Sequence, residues 1–216
     1  MSNDSQLQQA VLAELNWEPS VTAANIGVTA KSGVVALTGH VGSYVEKYAA
    51  ETAARRVKGV KAVAEELEVR LPSDTARDDA DIAEAALDRL AWDVSVPNDT
   101  VKIKVENGLV TLTGEVDWHY QKKAAEHDVA GMHGVIDVVD LITIKARVDV
   151  PNLSKDITKA LHRSWFDPRT IKVSAEGGTV HLTGTVHSWA DRNEAEATTW
   201  GAPGASDVKN DITVLF

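Results

Sequence analysis

One heptapeptide is written three times in this chain. Gly33-Val34-Val35-Ala36-Leu37-Thr38-Gly39 returns as Gly108-Leu109-Val110-Thr111-Leu112-Thr113-Gly114 and again as Gly178-Thr179-Val180-His181-Leu182-Thr183-Gly184. The closing glycines are 75 and then 70 positions apart, and a further glycine (Gly59, Gly134, Gly204) follows each at a constant 20 residues. A chain that repeats itself at this interval consists of small supersecondary units, each too small to bury a large core alone. A catalytic centre is rarely built in triplicate, whereas a binding or scaffolding module often is.

Each unit carries the same signals in the same order. Apolar residues at helical spacing open it: Leu7, Val11 and Leu15, then Ile82, Ala86 and Leu90, then Ile157, Leu161 and Trp165. Asn3, Asp4 and Ser5 precede the first helix, Asp78 and Asp79 the second, and Asn152 and Ser154 the third, while Pro19, Pro97 and Pro168 follow as breakers. Alternating residues then predict a hairpin in each unit: Ile26, Val28 and Ala30; Val101, Ile103 and Val105; Ile171, Val173 and Ala175. The turns are Lys31-Ser32-Gly33, Glu106-Asn107-Gly108 and Glu176-Gly177-Gly178. Asn107-Gly108 is the strongest signal, because a type I′ turn needs positive φ at both central residues. A second helix follows (44–57, 118–130, 188–200), ending near Gly59, Gly131 with Gly134, and Gly201 with Gly204, where a glycine suits a C-terminal cap. A last strand (63–69, 138–144, 208–214) closes the unit.

The predicted class is α+β, with three tandem α-β-β-α-β units over residues 1–71, 77–149 and 152–216. A right-handed strand–helix–strand crossover makes the second and third strands parallel. Each unit then holds a small mixed three-stranded sheet with two helices on one face. The linkers, 71–77 and 149–152, contain proline and are semi-rigid. The third unit is five residues shorter than the others between its first helix and first strand.

Net charge is −10, and it is uneven: −2 over residues 1–75, −7 over 76–149 and −1 over 150–216. Such an acidic chain opposes non-specific binding to nucleic acid or anionic lipid, so no nucleic-acid partner is expected. No apolar run is long enough to span a bilayer. The first residues lack a basic segment followed by an apolar one, so the expected compartment is the cytoplasm, or the periplasm if the chain is a trimmed mature form. Without cysteine there is no disulfide, thiolate site or thiol catalysis.

Candidate site residues divide by type. Gly39, Gly114 and Gly184 are expected to permit a sharp strand-to-helix exit, with a phosphate cradle on the following helix start as the functional alternative. Six tryptophans stand against two phenylalanines. Trp17, Trp92 and Trp165 are expected to plug core edges and seams between units. Trp118 and Trp189 are candidates for an interface, because indole is amphipathic. Tyr44, His119 and Trp189 share one register, five residues past the glycine. Lys155, Lys159 and Arg163 recur at i, i+4, i+8 and would form a cationic stripe for a phospholipid surface. The histidines, among them His119, His127, His133, His181 and His187, lack metal-ligand spacing, so no metal or other cofactor is expected. Asp78, Asp79 and Asp81 suit a helix N-terminus; these, or Asp137 with Asp140, are the alternative cation sites. No nucleophile motif is present, so no enzyme activity is expected.

A helix, then Gly-x-Val-x-Leu-Thr-Gly-x-Val, an Ala/Glu-rich helix, a Gly-Val break and a short strand resembles the BON domain, named for bacterial OsmY and nodulation proteins. The matching stretches are Gly33 to Val41, Gly108 to Val116 and Gly178 to Val186. The break matches at Gly59-Val60 and Gly134-Val135 and departs at Gly204-Ala205. The motif glycines are thus Gly33, Gly39 and Gly59; Gly108, Gly114 and Gly134; and Gly178, Gly184 and Gly204. The resemblance implies non-catalytic modules that bind phospholipid or other ligands, in osmotic-shock, secretion-related and cell-envelope proteins. The expected function is a stress- or envelope-related binding or scaffold protein, with an unknown protein or small ligand as partner. The alternatives are a cytoplasmic small-ligand or cation sensor and a phospholipid-binding protein.

Overall fold

The computed structural model describes residues 3–72, 77–146 and 152–215. The first repeat runs α1 (Asn3–Trp17), β1 (Ile26–Lys31), β2 (Val34–Val41), α2 (Tyr44–Arg56) and β3 (Ala62–Val69). The second runs α3 (Asp79–Trp92), β4 (Val101–Glu106), β5 (Leu109–Val116), α4 (His119–Ala130) and β6 (Asp137–Ile144). The third runs α5 (Leu153–Leu161), β7 (Lys172–Glu176), β8 (Thr179–Val186), α6 (Trp189–Trp200) and β9 (Asp207–Val214). Residues 73–76 and 149–151, which hold most of the expected linkers, lie outside the described residues.

Three separate three-stranded sheets result, in the orders β1-β2-β3, β4-β5-β6 and β7-β8-β9. The hairpin pairs are antiparallel, with Ile26 opposite Gly39 and Val101 opposite Gly114. The crossovers are parallel, with Val34 opposite Ala62 and Thr179 opposite Asp207. This is the expected mixed α+β architecture. The chain also divides into two compact units, Met1–Gly114 with Lys123–Leu141, and Glu115–Lys122 with Ile142–Phe216. The first repeat lies wholly in one, the third wholly in the other, and the middle repeat supplies residues to both.

Strand alternation decides which face is covered. In the first repeat Ile26, Val28, Val35, Leu37 and Leu67 point inward, where they meet Val11 and Leu15 of α1 and Ala50, Ala53 and Ala54 of α2. Three alanines on one side of α2 let that helix lie close to the sheet. In the third repeat Ile157 and Leu161 of α5 and Ala195 of α6 close over Val180, Leu182 and Ile212 in the same way.

All three hairpin turns have positive φ at both central residues: Ser32 and Gly33 at 52° and 87°, Asn107 and Gly108 at 51° and 77°, Gly177 and Gly178 at 55° and 90°. That backbone twist matches the twist of the flanking strands.

Two expectations about glycine change. Gly39, Gly114 and Gly184 do not lie at the exit to the helix but inside the second strand, two residues before its end. Their requirement is space as well as angle. At Gly114, with φ of 140°, a Cβ would stand 2.1 Å from the carbonyl oxygen of Thr100, and the same clash arises with Asn25 at Gly39 and Thr170 at Gly184. Nor do Gly59, Gly134 and Gly204 cap the second helices, which end three or four residues earlier. They turn the chain under the hairpin. A Cβ on the hairpin glycine Gly108 would stand 2.6 Å from the carbonyl oxygen of Gly134, and the Ile136 N–H donates to the Gly108 carbonyl at 3.0 Å.

The helix starts also differ from expectation. Asn3, Asp4 and Ser5 lie within α1 rather than before it. Asp78 caps α3 as expected, accepting from the Asp81 N–H at 2.8 Å. Asn152 precedes α5 in a left-handed conformation and makes no cap bond, and Ser154 lies inside the first turn.

The largest correction is Trp165. The helical spacing places it as the last core residue of α5, but α5 ends at Leu161. His162, Arg163 and Ser164 close tight turns, the last two by bonds from Arg163 N to Ala160 O and Ser164 N to Leu161 O. Three residues per turn instead of 3.6 rotates the following side chains. Phe166 therefore enters the core at 8% exposure, and Trp165 stands out at 70%.

Candidate functional site

The same reversal holds for the other two tryptophans of this set. Trp17 and Trp92 end α1 and α3 and are 81% and 87% exposed. They plug neither a core edge nor a seam. Trp17 and Trp92 stand at equivalent places, whereas Trp165 falls in the register of Leu15 and Leu90.

Two of the three sit in open depressions with the same chemistry. Trp17 is grouped with Glu14, Glu18, Pro19 and Arg56, where the Arg56 guanidinium bridges both glutamates at 3.0 Å. Trp92 is grouped with Asp88, Arg89, Asp93 and Asp128 around a depression of about 590 Å³. Arg89 lies 3.6 Å from the Asp128 carboxylate. Carboxylates outnumber arginines at both places. The arginines come from different elements, Arg56 from the second helix and Arg89 from the first, so the chemistry recurs without the register. At the third place Trp165 packs edge-on against Phe166 at 5.9 Å, next to the exposed Asp167–Arg169 pair. Hydrogen bonds from Arg169 hold the Asp167 carboxyl down to about 2.

Asp93 and Asp128 are tuned in opposite directions. Asp93 accepts from the Ser95 N–H at 2.7 Å, and that bond holds its carboxyl below the ordinary range. Burial, and then the charge of Asp93, push the Asp128 carboxyl up. The Asp128 Oδ2 is buried without a hydrogen-bond partner.

Of the interface candidates, Trp118 is half-buried, and its backbone N–H donates to Gln121 Oε1 at 3.0 Å. Trp189 is also half-buried, opens α6 and carries the Arg192 guanidinium 5.4 Å from its ring centre. The cationic stripe does not form as expected. Lys155 and Lys159 share a face of α5, but Lys159 pairs with Asp156 at 3.1 Å, and Arg163 lies beyond the helix end, folded back onto the Lys159 carbonyl.

Several residues passed over in the sequence prove to build the scaffold. Lys47, Lys122 and Arg192 stand at one register, eight past the glycine, and each ties the second helix to the third strand. Lys47 pairs with Glu65 at 3.1 Å, Lys122 donates to the Ile142 carbonyl at 2.7 Å, and Arg192 donates to the carbonyls of Asn210 and Ile212. A three-way alignment of the repeats on their glycines would reveal them. Of the acidic groups considered for a cation, Asp78 caps α3, Asp79 holds the hairpin turn and Asp137 pairs with Lys47 at 3.7 Å. At the helix starts considered for phosphate, Ser43 and Ser188 accept the bonds from Glu46 N and Asp191 N. Among the described residues no three His, Asp or Glu side chains gather as a metal site, and no helix is long and apolar enough to cross a membrane.

Comparison with known proteins places the whole chain. The model of the BON domain matches residues 3–70, 78–146 and 149–215. Osmotically-inducible protein Y of Escherichia coli (strain K12) is 32% identical over 141 residues, covering 63% of this chain and 70% of that protein. Among solved structures, CdsD, a structural protein of the type III secretion system of Chlamydia trachomatis, aligns over 97% of this chain and 92% of its own at 17% identity. Its TM-score is 0.28.

Proposed function

The chain belongs to the BON-domain family, and we propose that it is a non-enzymatic, multivalent binding protein whose contact residues are Trp17, Trp92 and Trp165. The observation that carries this reading is the exposure of all three indoles, Trp17 and Trp92 as the last residues of α1 and α3 and Trp165 beyond the end of α5. The neighbouring carboxylates specify the ligand: a basic, extended polypeptide segment whose lysine or arginine side chains lie against indole and pair with Glu14 and Glu18 or with Asp88 and Asp93. An exposed cation–π contact is worth about 0.5–1 kcal/mol, so one site alone is weak. Linking sites in one chain raises the effective concentration of the second contact. Identity to an osmotically inducible protein adds an osmotic-stress setting to the proposal.

The test is titration of the full chain with oligolysine while the indole N–H resonances are followed by NMR. The expected result is movement of the Trp17, Trp92 and Trp165 signals, reversal by salt, weaker binding by Trp92→Ala and no response to oligoglutamate. Signals that stay in place, or movement indifferent to salt, overturn the reading. Protein abundance before and after a hyperosmotic shift tests the setting.

A further inference from the structure

Each third strand lies at an edge of its sheet, and β3, β6 and β9 are all eight residues long. Backbone groups of successive strand residues point to opposite sides, so half of them face away from the sheet. In the third repeat the Asp207 and Leu215 N–H groups donate inward to the carbonyls of Gly178 and Val186. The alternation then turns Val208, Asn210, Ile212 and Val214 outward. In the first repeat Ala62 and Arg70 donate inward to Gly33 and Val41, which turns Leu67 outward. In the second Lys145 donates inward to Val116, which turns Ile142 outward. Leu67, Ile142 and Ile212 all stand 28 residues past their motif glycine.

At that register a side chain occupies an outward backbone group in every repeat. In the third, Arg192 donates to the Asn210 carbonyl at 2.6 Å and to the Ile212 carbonyl at 3.1 Å. Asn210 Oδ1 accepts from the Ile212 N–H at 3.2 Å, and its Nδ2 donates to Glu196 at 2.8 Å, which fixes the amide in that orientation. In the first, the Glu65 carboxylate accepts from the Leu67 N–H and pairs with Lys47 at 3.1 Å. In the second, Lys122 donates to the Ile142 carbonyl at 2.7 Å. An open edge is a template on which another chain adds a strand, and a chain with three like edges carries that hazard three times. A strand added to β9 would need the carbonyls and the N–H that Arg192 and Asn210 already hold, and would run where the guanidinium stands.

We infer that these side chains are plugs that close the outer edge of each third strand to strand addition, and that Arg192 with Asn210 keeps β9 from pairing with a strand of a second copy of this chain. The plug has one construction. A cation eight residues past the motif glycine reaches down from the second helix, and in the first and third repeats a polar side chain 26 past it, Glu65 or Asn210, takes the N–H two residues on. Three sheets of closely similar sequence thereby stay separate. None of the exposed tryptophans takes part, so the inference stands apart from the proposed binding sites.

Sedimentation velocity across a concentration series tests this with the full chain. Wild type is expected to keep one mass throughout. An Arg192→Met, Asn210→Val double variant keeps the bulk and loses the plug, and its mean mass is expected to at least double over the series. Amide signals of Asn210 and Ile212 should move with concentration in that variant, while those of β7 stay in place. Arg192→Lys, which copies Lys122, should keep one mass. Circular dichroism checks that each variant is folded; if the double variant is not, Arg192→Met alone makes the same comparison. Amide hydrogen exchange needs no variant: in wild type the outward Ile212 and Leu67 N–H groups should exchange at least tenfold more slowly than exposed loop amides. A folded variant that keeps the wild-type mass, a wild type that associates as the variant does, association that moves signals away from β9, or Ile212 exchange at loop rates overturns the proposal.

Discussion

The carboxylate of Asp79, in the first turn of α3, accepts a hydrogen bond at 2.7 Å from the backbone N–H of Asn107, 28 residues away at the tip of the hairpin. Its second oxygen accepts from the Gly108 N–H at 2.9 Å. Asp4 does the same for Ser32 at 2.8 Å in the first repeat. One side chain thus ties the first helix to the hairpin and satisfies turn donors that face no strand.

Asp79→Ala is expected to destabilise the protein by about 1.5–3 kcal/mol, the range for hydrogen bonds to a charged group. Asp79→Asn retains one acceptor and should lose less. Urea denaturation monitored by circular dichroism gives both midpoints, and equal midpoints for wild type and Asp79→Ala would show the clamp to be idle.

Gly114→Ala is expected to be the most damaging single-methyl change in the middle repeat. Strained backbone costs about 1–3 kcal/mol, and the methyl also meets the Thr100 carbonyl. Gly131→Ala is the control, since a Cβ there meets nothing within 4 Å and φ is not positive. Thermal unfolding of the two variants should differ by many degrees.

At the turn itself, Asn107→Ala should cost roughly 1–2 kcal/mol, the penalty of a left-handed conformation for an ordinary side chain. Ser32 holds the same conformation with a less suitable residue, so Ser32→Asn should raise the denaturation midpoint. A fall in that variant would mean that the Ser32 side chain contributes a contact of its own.

Asp128 makes stability depend on pH in an unusual sense. Its folded pKa is raised, so between the ordinary carboxylate value and that raised value the native state holds a proton the unfolded state has released. Stability contributed by this group is present at low pH and is lost as pH rises through the window. Asp128→Asn removes the buried charge and can donate to Asp93. It is expected to raise the melting temperature by a few degrees at pH 7 and to change it little below pH 4. A loss of stability at pH 7 would assign more weight to the ion pair with Arg89 than to burial.

Anionic vesicles are expected to bind the intact chain weakly. Each lysine or arginine near such a surface contributes about 1 kcal/mol, but Lys159 is paired with Asp156 and the middle repeat is strongly acidic. Flotation should therefore show slight binding that falls with salt and is lost in the Lys155→Glu, Lys159→Glu double variant. Tight, salt-insensitive flotation would favour a membrane role.

What the sequence determined by itself is the repeated unit, its strand and helix order and its three hairpin turns. Those rest on local rules: period-two alternation in the strands, helical spacing of Val11 with Leu15 or Ile82 with Leu90, and a glycine where φ must be positive. Each signal lies within a few residues of the structure it specifies. The tertiary structure decided everything that depends on distant partners. Gly114 is required by the carbonyl of Thr100, and Asp79 serves a turn 28 residues away. Lys122 and Arg192 carry no local signal, because their partners lie on the third strand. The tryptophans show the limit most clearly. Their places beside the apolar stripe of the first helix made Trp17, Trp92 and Trp165 candidates for plugging core edges and seams. Each stands at or just past the end of a helix, and after α5 a tightened turn puts Phe166 into the core and leaves Trp165 facing solvent.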